Sequence, residues 1–285
     1  KKILKKNRYL NNLYYKQIHF RYNWGINNPP YYYKILSGDG IEVGAMSNPA
    51  LFRSIKSIKY ADVRSEDELQ KNIRDIDIDS LYNSSYAKVD ITIPKTDHAL
   101  INIPDNSVDF VFSSHSLEHA PNPIDSIIDY YRVIKDDGIV YTIVPNKHNT
   151  YDRMRADTPL NKLIKKWKEK NYSYTLDEFY ELYDNTTEHP FYHNKNKKEI
   201  KESWKENSGM HRVYVYSEKN ILELIKFLTD ELKGSELMYF QSDWDIHLAI
   251  KKNPVRNPRK TKAEKQFHKM IKSESNDTQD LIKFT

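Results

Sequence analysis

In the stretch GIEVGAMSNP, Gly40 to Pro49, a carboxylate stands two residues before a glycine, Glu42-x-Gly44, at the end of a short apolar run. A strand that turns tightly into a helix lets backbone approach a ligand, and the unpaired N–H groups of the helix start favour negative charge. Two common users of such a turn do not fit. A phosphate-gripping loop needs Gly-x-x-x-x-Gly-Lys-Ser/Thr, and no lysine follows; the dinucleotide fingerprint needs three glycines, of which only Gly44 is in place. Glu42 and Gly44 suit a cation-bearing cofactor better. Asp62, at the end of the second apolar run, could hold a ribose diol, since a carboxylate only accepts hydrogen bonds; Asp97, after the third, could accept from an adenine amino group. At the ends of successive strands these acids outline an adenosine-shaped crevice.

A second polar run, Tyr151, Asp152, Arg153 and Arg155, suggests either an acidic acceptor group such as phosphate or uronate, or an ion pair internal to the run. His189, His193 and His211 lie further on, with no His-x-x-x-His pair on a helix, and no metal is expected. The run HRVYVYS that begins at His211 could return to the sheet and present His211 or Arg212 to a substrate.

The elements that must position these residues read as strands alternating with helices. GIEVGA, IKYADV, AKVDITI, VDFVFSSH and GIVYTIVP are five short apolar strands. Between the last two lies the clearest helix: Asn122 caps it, Pro123 sits in its first turn, Ile124, Ile127, Ile128 and Tyr131 share one face, and KDDG ends it. Such βαβ units imply a parallel sheet with ligands at the carboxyl ends of the strands. Residues 147–216 break the rhythm and read as a cap over the sheet. A helix capped by Ser217 follows, then SELMYFQSDWDIHLAIKK as a final antiparallel pair. Residues 1–34 read as an N-terminal helical or irregular extension, 35–252 as the main domain, and 253–285 as a basic, mobile tail.

Composition sets the outer bounds. A chain of 285 residues, 38% hydrophobic, can bury a substantial core. It holds no apolar run long enough to span a membrane and its first residues lack a signal-peptide core, so the expected location is the cytoplasm. There is no cysteine, which excludes disulfides and thiolate metal sites. The net charge of +5 is modest and weak evidence about partners; the partner expected is a small-molecule or glycan substrate rather than a nucleic acid, in a chain that could form an oligomer.

The segment from IPDNSVDFVFSSHSLEH through YRVIKDDG to VPNKHNTYDR resembles class I S-adenosylmethionine-dependent methyltransferases, in a branch associated with bacterial surface-polysaccharide biosynthesis. The resemblance implies an α/β fold: a Rossmann-like, seven-stranded, mostly parallel sheet with helices on both faces, binding S-adenosyl-L-methionine across its first four strands. It places Glu42, Gly44 and Ala45 at the methionine end, Asp62 at the ribose, Asp97 with His98 at the adenine, Ser113, Ser114 and His115 on the wall beside the methyl, and Glu118 and His119 after them. Met46 and Asn48 stand where many members have glycine, so Met46 brings a side chain toward the ligand.

Methyl transfer to a hydroxyl needs orientation and a general base. His115 and His148 are the candidates; Tyr151, Arg153, Arg155 and His211 are the candidate acceptor contacts. The activity expected is O-methylation of a sugar or sugar-phosphate, including a phosphate or phosphoramidate group, of a surface polysaccharide. Two other readings stay open: a non-catalytic methyltransferase-like partner subunit, and an RNA or protein methyltransferase.

Overall fold

The computed structural model describes residues 35–46, 49–50, 52, 54–69, 87–95, 100–186, 192, 195–206, 211–241, 244–253 and 283–284. The N-terminal extension, Asn48, Asp97, His98, His189, His193 and the tail from 254 to 282 lie outside them.

The strands are β1 (Gly38–Val43), β2 (Ile55–Asp62), β3 (Ile91–Thr92), β4 (Val108–Ser114), β5 (Ile134–Pro145), β6 (Glu236–Gln241) and β7 (Asp245–Lys251), joined by a two-residue β8 (Lys283–Phe284). Their order is β3-β2-β1-β4-β5-β7-β6-β8. The first five are parallel and β7 runs antiparallel to β5 and β6. This is the expected Rossmann-like, seven-stranded, mostly parallel sheet, with β8 added on the outer edge of β6. Strand order reverses between β1 and β4, so the crevice of an open α/β sheet falls at the carboxyl ends of those two strands.

Alternation along the central strands sends side chains to two cores. Val111, Val140 and Val144 face one; Phe110, Phe112, Tyr141 and Ile143 face the other. Gly40 is required by this packing, because a Cβ there would sit 2.1–2.3 Å from the Phe110 ring.

The expected helix is α1 (Pro123–Val133), and the Asn122 side chain accepts from Asp125 N at 3.3 Å. Its buried positions include Ile124, Ile127, Tyr130 and Val133, so the face is rotated slightly from the sequence reading and Tyr131 is only half-buried. β5 begins directly at Ile134, before the KDDG turn rather than after it, and Asp137 takes a left-handed backbone within the strand.

The cap contributes α2 (Leu160–Lys168), α3 (Leu176–Asn185) and α4 (Lys197–Glu206), before α5 (Glu218–Glu231) returns to the sheet. Lys166 ties it down from the inside, donating to the Tyr214 hydroxyl and the Ser173 carbonyl, both at 2.8 Å. Tyr214 in turn donates to Pro121 O and Tyr174 to His119 O, so the cap rests on the turn that follows β4. Residues 211–217 do not form a strand of the sheet; they run extended between that turn and Thr158, with Tyr214 N donating to Glu118 O and Val215 N to Thr158 Oγ1. At α5 the Asn220 side chain accepts from Ser217 N at 2.8 Å.

Candidate active site

β1 ends in Glu42, Val43 and the Gly44 turn. Gly44 has φ +77°, and a Cβ there would lie 3.0 Å from Ser116 Oγ, so backbone rather than side chain faces the crevice at the switch point. Met46 also takes a left-handed backbone, φ +48°, a conformation costly for an unbranched side chain and free for glycine. The position thus keeps the geometry of a glycine turn without its residue. Ala45 is buried beside it.

Glu42 is 2% exposed and both its oxygens accept from Ala50 N, at 3.0 and 3.1 Å. Burial pushes its carboxyl up to about 8, with the Ala50 bond pulling the other way. Its visible work is to hold the segment after the turn against β1.

Asp62 ends β2 as expected, but its carboxylate already has a partner. Oδ1 accepts from Arg64 N and Nε at 3.0 Å, and Oδ2 accepts from Arg64 Nη2 at 3.3 Å. Both side chains are buried.

At the end of β4, the Ser113 hydroxyl is engaged with Thr142 Oγ1 at 3.0 Å and Ser114 is half-buried. His115 leaves the strand with φ +52°, a strained value for a non-glycine residue of the kind that clusters at functional sites. Its Nε2 lies 2.9 Å from Asp245 Oδ1, and its side chain is 34% exposed, enough for a ligand to reach. Asp245 opens β7, which runs back antiparallel beside β5, so its register partner Pro145 sets it on the same rim as the ends of the parallel strands. The sequence reading missed Asp245. The signal was present, since the acid that opens the second strand of a final antiparallel pair must return to that rim.

Glu118 and His119 follow in a 3-10 turn, Leu117–His119. Glu118 is fully buried; Arg212 Nε lies 3.5 Å, His119 Nε2 3.7 Å and His115 Nδ1 3.8 Å from its Oε1. Burial raises the carboxyl, and His115 and then Arg212 draw it back.

The other candidate base, His148, sits exposed in the 3-10 turn Lys147–Asn149 after β5. Tyr151 and Arg153 belong to the next turn, Tyr151–Met154, with Arg153 exposed.

Two acceptor candidates are corrected. All five N–H groups of Arg155 are committed inside the protein: Nε and one Nη2 hydrogen to Glu181, Nη1 to Asp152 Oδ1 and Arg212 O, and the remaining Nη2 hydrogen to Val213 O. The fully buried guanidinium clamps the cap and leaves no donor for a phosphate. His211 is 3% exposed among Phe179, Tyr183 and Tyr192, with its ring 4.7 Å from that of Phe179. Burial pushes it down to about 4, so it is a neutral member of the aromatic core of the cap.

The sheet order and the crevice at its switch point define a Rossmann-like methyltransferase fold. Residues 67–142 match a family described as the methyltransferase domain. That segment contains β4, His115, Glu118 and α1; Glu42, Gly44 and Asp62 precede it. This segment, about a quarter of the chain, carries the likeness to a methyltransferase domain, a family whose methyl donor is S-adenosyl-L-methionine.

No curated protein matches the chain. Among solved structures, a protein described as an S-adenosyl-L-methionine-dependent methyltransferase from Methanococcus maripaludis is 16% identical, over 77% of this chain and 80% of that one, with a TM-score of 0.39. A methyltransferase from Aquifex aeolicus gives 12%, 74%, 80% and 0.36 in the same terms. A protein described as a zinc-dependent alcohol dehydrogenase from Rhodobacter sphaeroides gives 13%, 79%, 91% and 0.43. Likenesses this distant carry no argument about chemistry.

The residues present fit the cofactor. The Gly44 turn presents backbone at the end of β1, and the acids near the ends of the first two strands are the acceptors that a ribose diol asks for, although Asp62 already accepts from Arg64 and Glu42 from Ala50 N. Gly44 and Ala45 would hold its methionine end and Asp62 its ribose. Among the described residues no group of His, Asp and Glu has metal-ligand geometry, and no helix is long and apolar enough to cross a membrane.

Proposed function

We propose that the protein methylates a hydroxyl oxygen on a sugar or sugar-phosphate of a surface polysaccharide, in the cytoplasm, with His115 as general base. The observation that supports this most is the His115–Asp245 pair. A carboxylate on Nε2 fixes the tautomer with the proton there, leaves the Nδ1 lone pair to accept, and stabilises the imidazolium that forms. His148, exposed on its turn, lies near the Asp157 charge but shows no carboxylate hydrogen-bonded to its ring among the described residues. S-adenosyl-L-methionine, when bound, supplies a methyl group already activated as a sulfonium. The chain's own residues then orient the acceptor and move one proton, from the acceptor hydroxyl to His115 Nδ1. The polysaccharide acceptor rests on the resemblance of the central segment alone. Arg153 and Tyr151 remain the proposed acceptor contacts.

The partner-subunit reading is favoured by one observation, the Arg64 side chain that occupies Asp62. Calorimetric titration with S-adenosyl-L-methionine and S-adenosylhomocysteine separates the two. Saturable binding, followed by methyl incorporation into nucleotide-sugars or polysaccharide that His115→Ala lowers by about 10²–10⁴, supports the enzyme acting on a hydroxyl. No binding by the folded protein supports the partner subunit, and full turnover by His115→Ala removes the base.

A further inference from the structure

Glu118 is the most unusual polar group in the described residues. It is fully buried, and neither carboxylate oxygen has a hydrogen-bond partner among the described residues. Burying a carboxylate without hydrogen bonds costs several kcal/mol, so such groups are either neutralised or kept for a task. Three nitrogens fan around Oε1 at 3.5–3.8 Å, each just beyond hydrogen-bond reach, and a structural ion pair would have drawn one of them in.

We propose that Glu118 is a positioning residue for His115, stabilising the protonated ring from the Nδ1 side as Asp245 does from the Nε2 side. This rests on the reading of His115 as the base. When the acceptor O–H bond breaks and an Nδ1–H bond forms, the new positive charge lies between two carboxylates, and a ring movement of about 1 Å brings Nδ1–H within bonding distance of Oε1. The proton leaves to water once the methylated oxygen has gone, and nothing is oxidised or reduced.

The charge environment gives the coupling its sign. His115 is faced by Asp245 and His247 from β7 and by Glu118 from the turn after β4, with His119 beside Glu118. Around Glu118 stand Arg212 and Tyr216 from the extended segment of the cap, Asp152 from the turn before it, and Tyr174. Of these, His115 is the largest charge favouring ionised Glu118, ahead of Arg212. Coupling between two titrating groups is mutual, so the ionised carboxylate favours the imidazolium by the same amount.

The test measures each direction. Carbon-13 carboxyl titration of the full chain is compared in the parent and in His115→Gln, with Glu118→Gln used to assign the signal. The Glu118 midpoint is expected to rise by about one unit in His115→Gln; an unchanged midpoint overturns the proposal, whatever the enzyme does. In Glu118→Gln, the acid limb of the kcat/KM profile is expected to move to lower pH by a similar amount, and kcat to fall more than KM changes. A folded Glu118→Gln variant with an unmoved acid limb also overturns it. If that variant does not fold, the signal is assigned with Glu118→Asp and the His115→Gln measurement decides alone. Failure of the base reading shows separately, as full turnover in His115→Gln.

Discussion

His115 at the end of β4 and Asp245 at the start of β7 lie 130 residues apart in the chain and 2.9 Å apart in space. An amide at Asp245 can no longer balance a charged ring, so Asp245→Asn should lower kcat by about 10²-fold with unchanged cofactor affinity. Steady-state kinetics beside calorimetry measure the two quantities, and an undiminished kcat would remove Asp245 from the site.

Asp62 and Arg64 compete with the ribose assignment in a way that substitution can resolve. Asp62→Ala should weaken cofactor binding by about tenfold, the worth of a charge-assisted hydrogen bond. Arg64→Ala removes the two guanidinium bonds, freeing Oδ2 while the backbone N–H stays on Oδ1, and should tighten binding, at some loss of thermal stability because a buried carboxylate loses its charged partner. Calorimetric affinities that move in neither variant would show that the diol is held elsewhere.

Arg155 should behave as structure. Arg155→Met removes the guanidinium from buried Asp152, while Glu181 can turn to solvent, and should destabilise the fold by about 3 kcal/mol, read by denaturant unfolding. A variant of unchanged stability with a raised KM for an anionic acceptor would return Arg155 to the substrate.

Two buried groups give opposite pH dependences of stability. His211 is pushed down to about 4 in the folded state, so the unfolded chain binds more protons below its ordinary value near 6.5. Its contribution is fully present above that value and is lost as pH falls through about 4. Glu42 is pushed up to about 8, so the folded state binds the extra proton; its contribution is present below about 4.5 and is lost as pH rises through about 8. Each should change the slope of stability by roughly 1.4 kcal/mol per pH unit inside its window. Unfolding curves of Glu42→Gln and His211→Phe from pH 4 to 9 should each lose the corresponding slope, and parallel curves would contradict these environments.

The alternation of apolar runs with an Asn-Pro-capped helix made the parallel sheet readable from sequence, because strand and helix periods are local properties. The ends of β1 and β2 were legible for the same reason, as acids closing apolar runs. Arg155 and His211 were not, since a guanidinium saturated by Asp152, Glu181 and two carbonyls looks in sequence like one waiting for phosphate. Asp245 required register, and Glu118 required knowing that no described group hydrogen-bonds its carboxylate.

Because β7 inserts between β5 and β6, the sheet cannot be completed by neighbours in sequence. During synthesis the strand bearing His115 is made long before Asp245 exists, and long-range pairings form late because loop closure must precede them. A nascent chain would therefore carry the histidine without its carboxylate until its last strands are in place. On the proposed reading of His115 as the base, the proton acceptor is complete only when the last strands have folded.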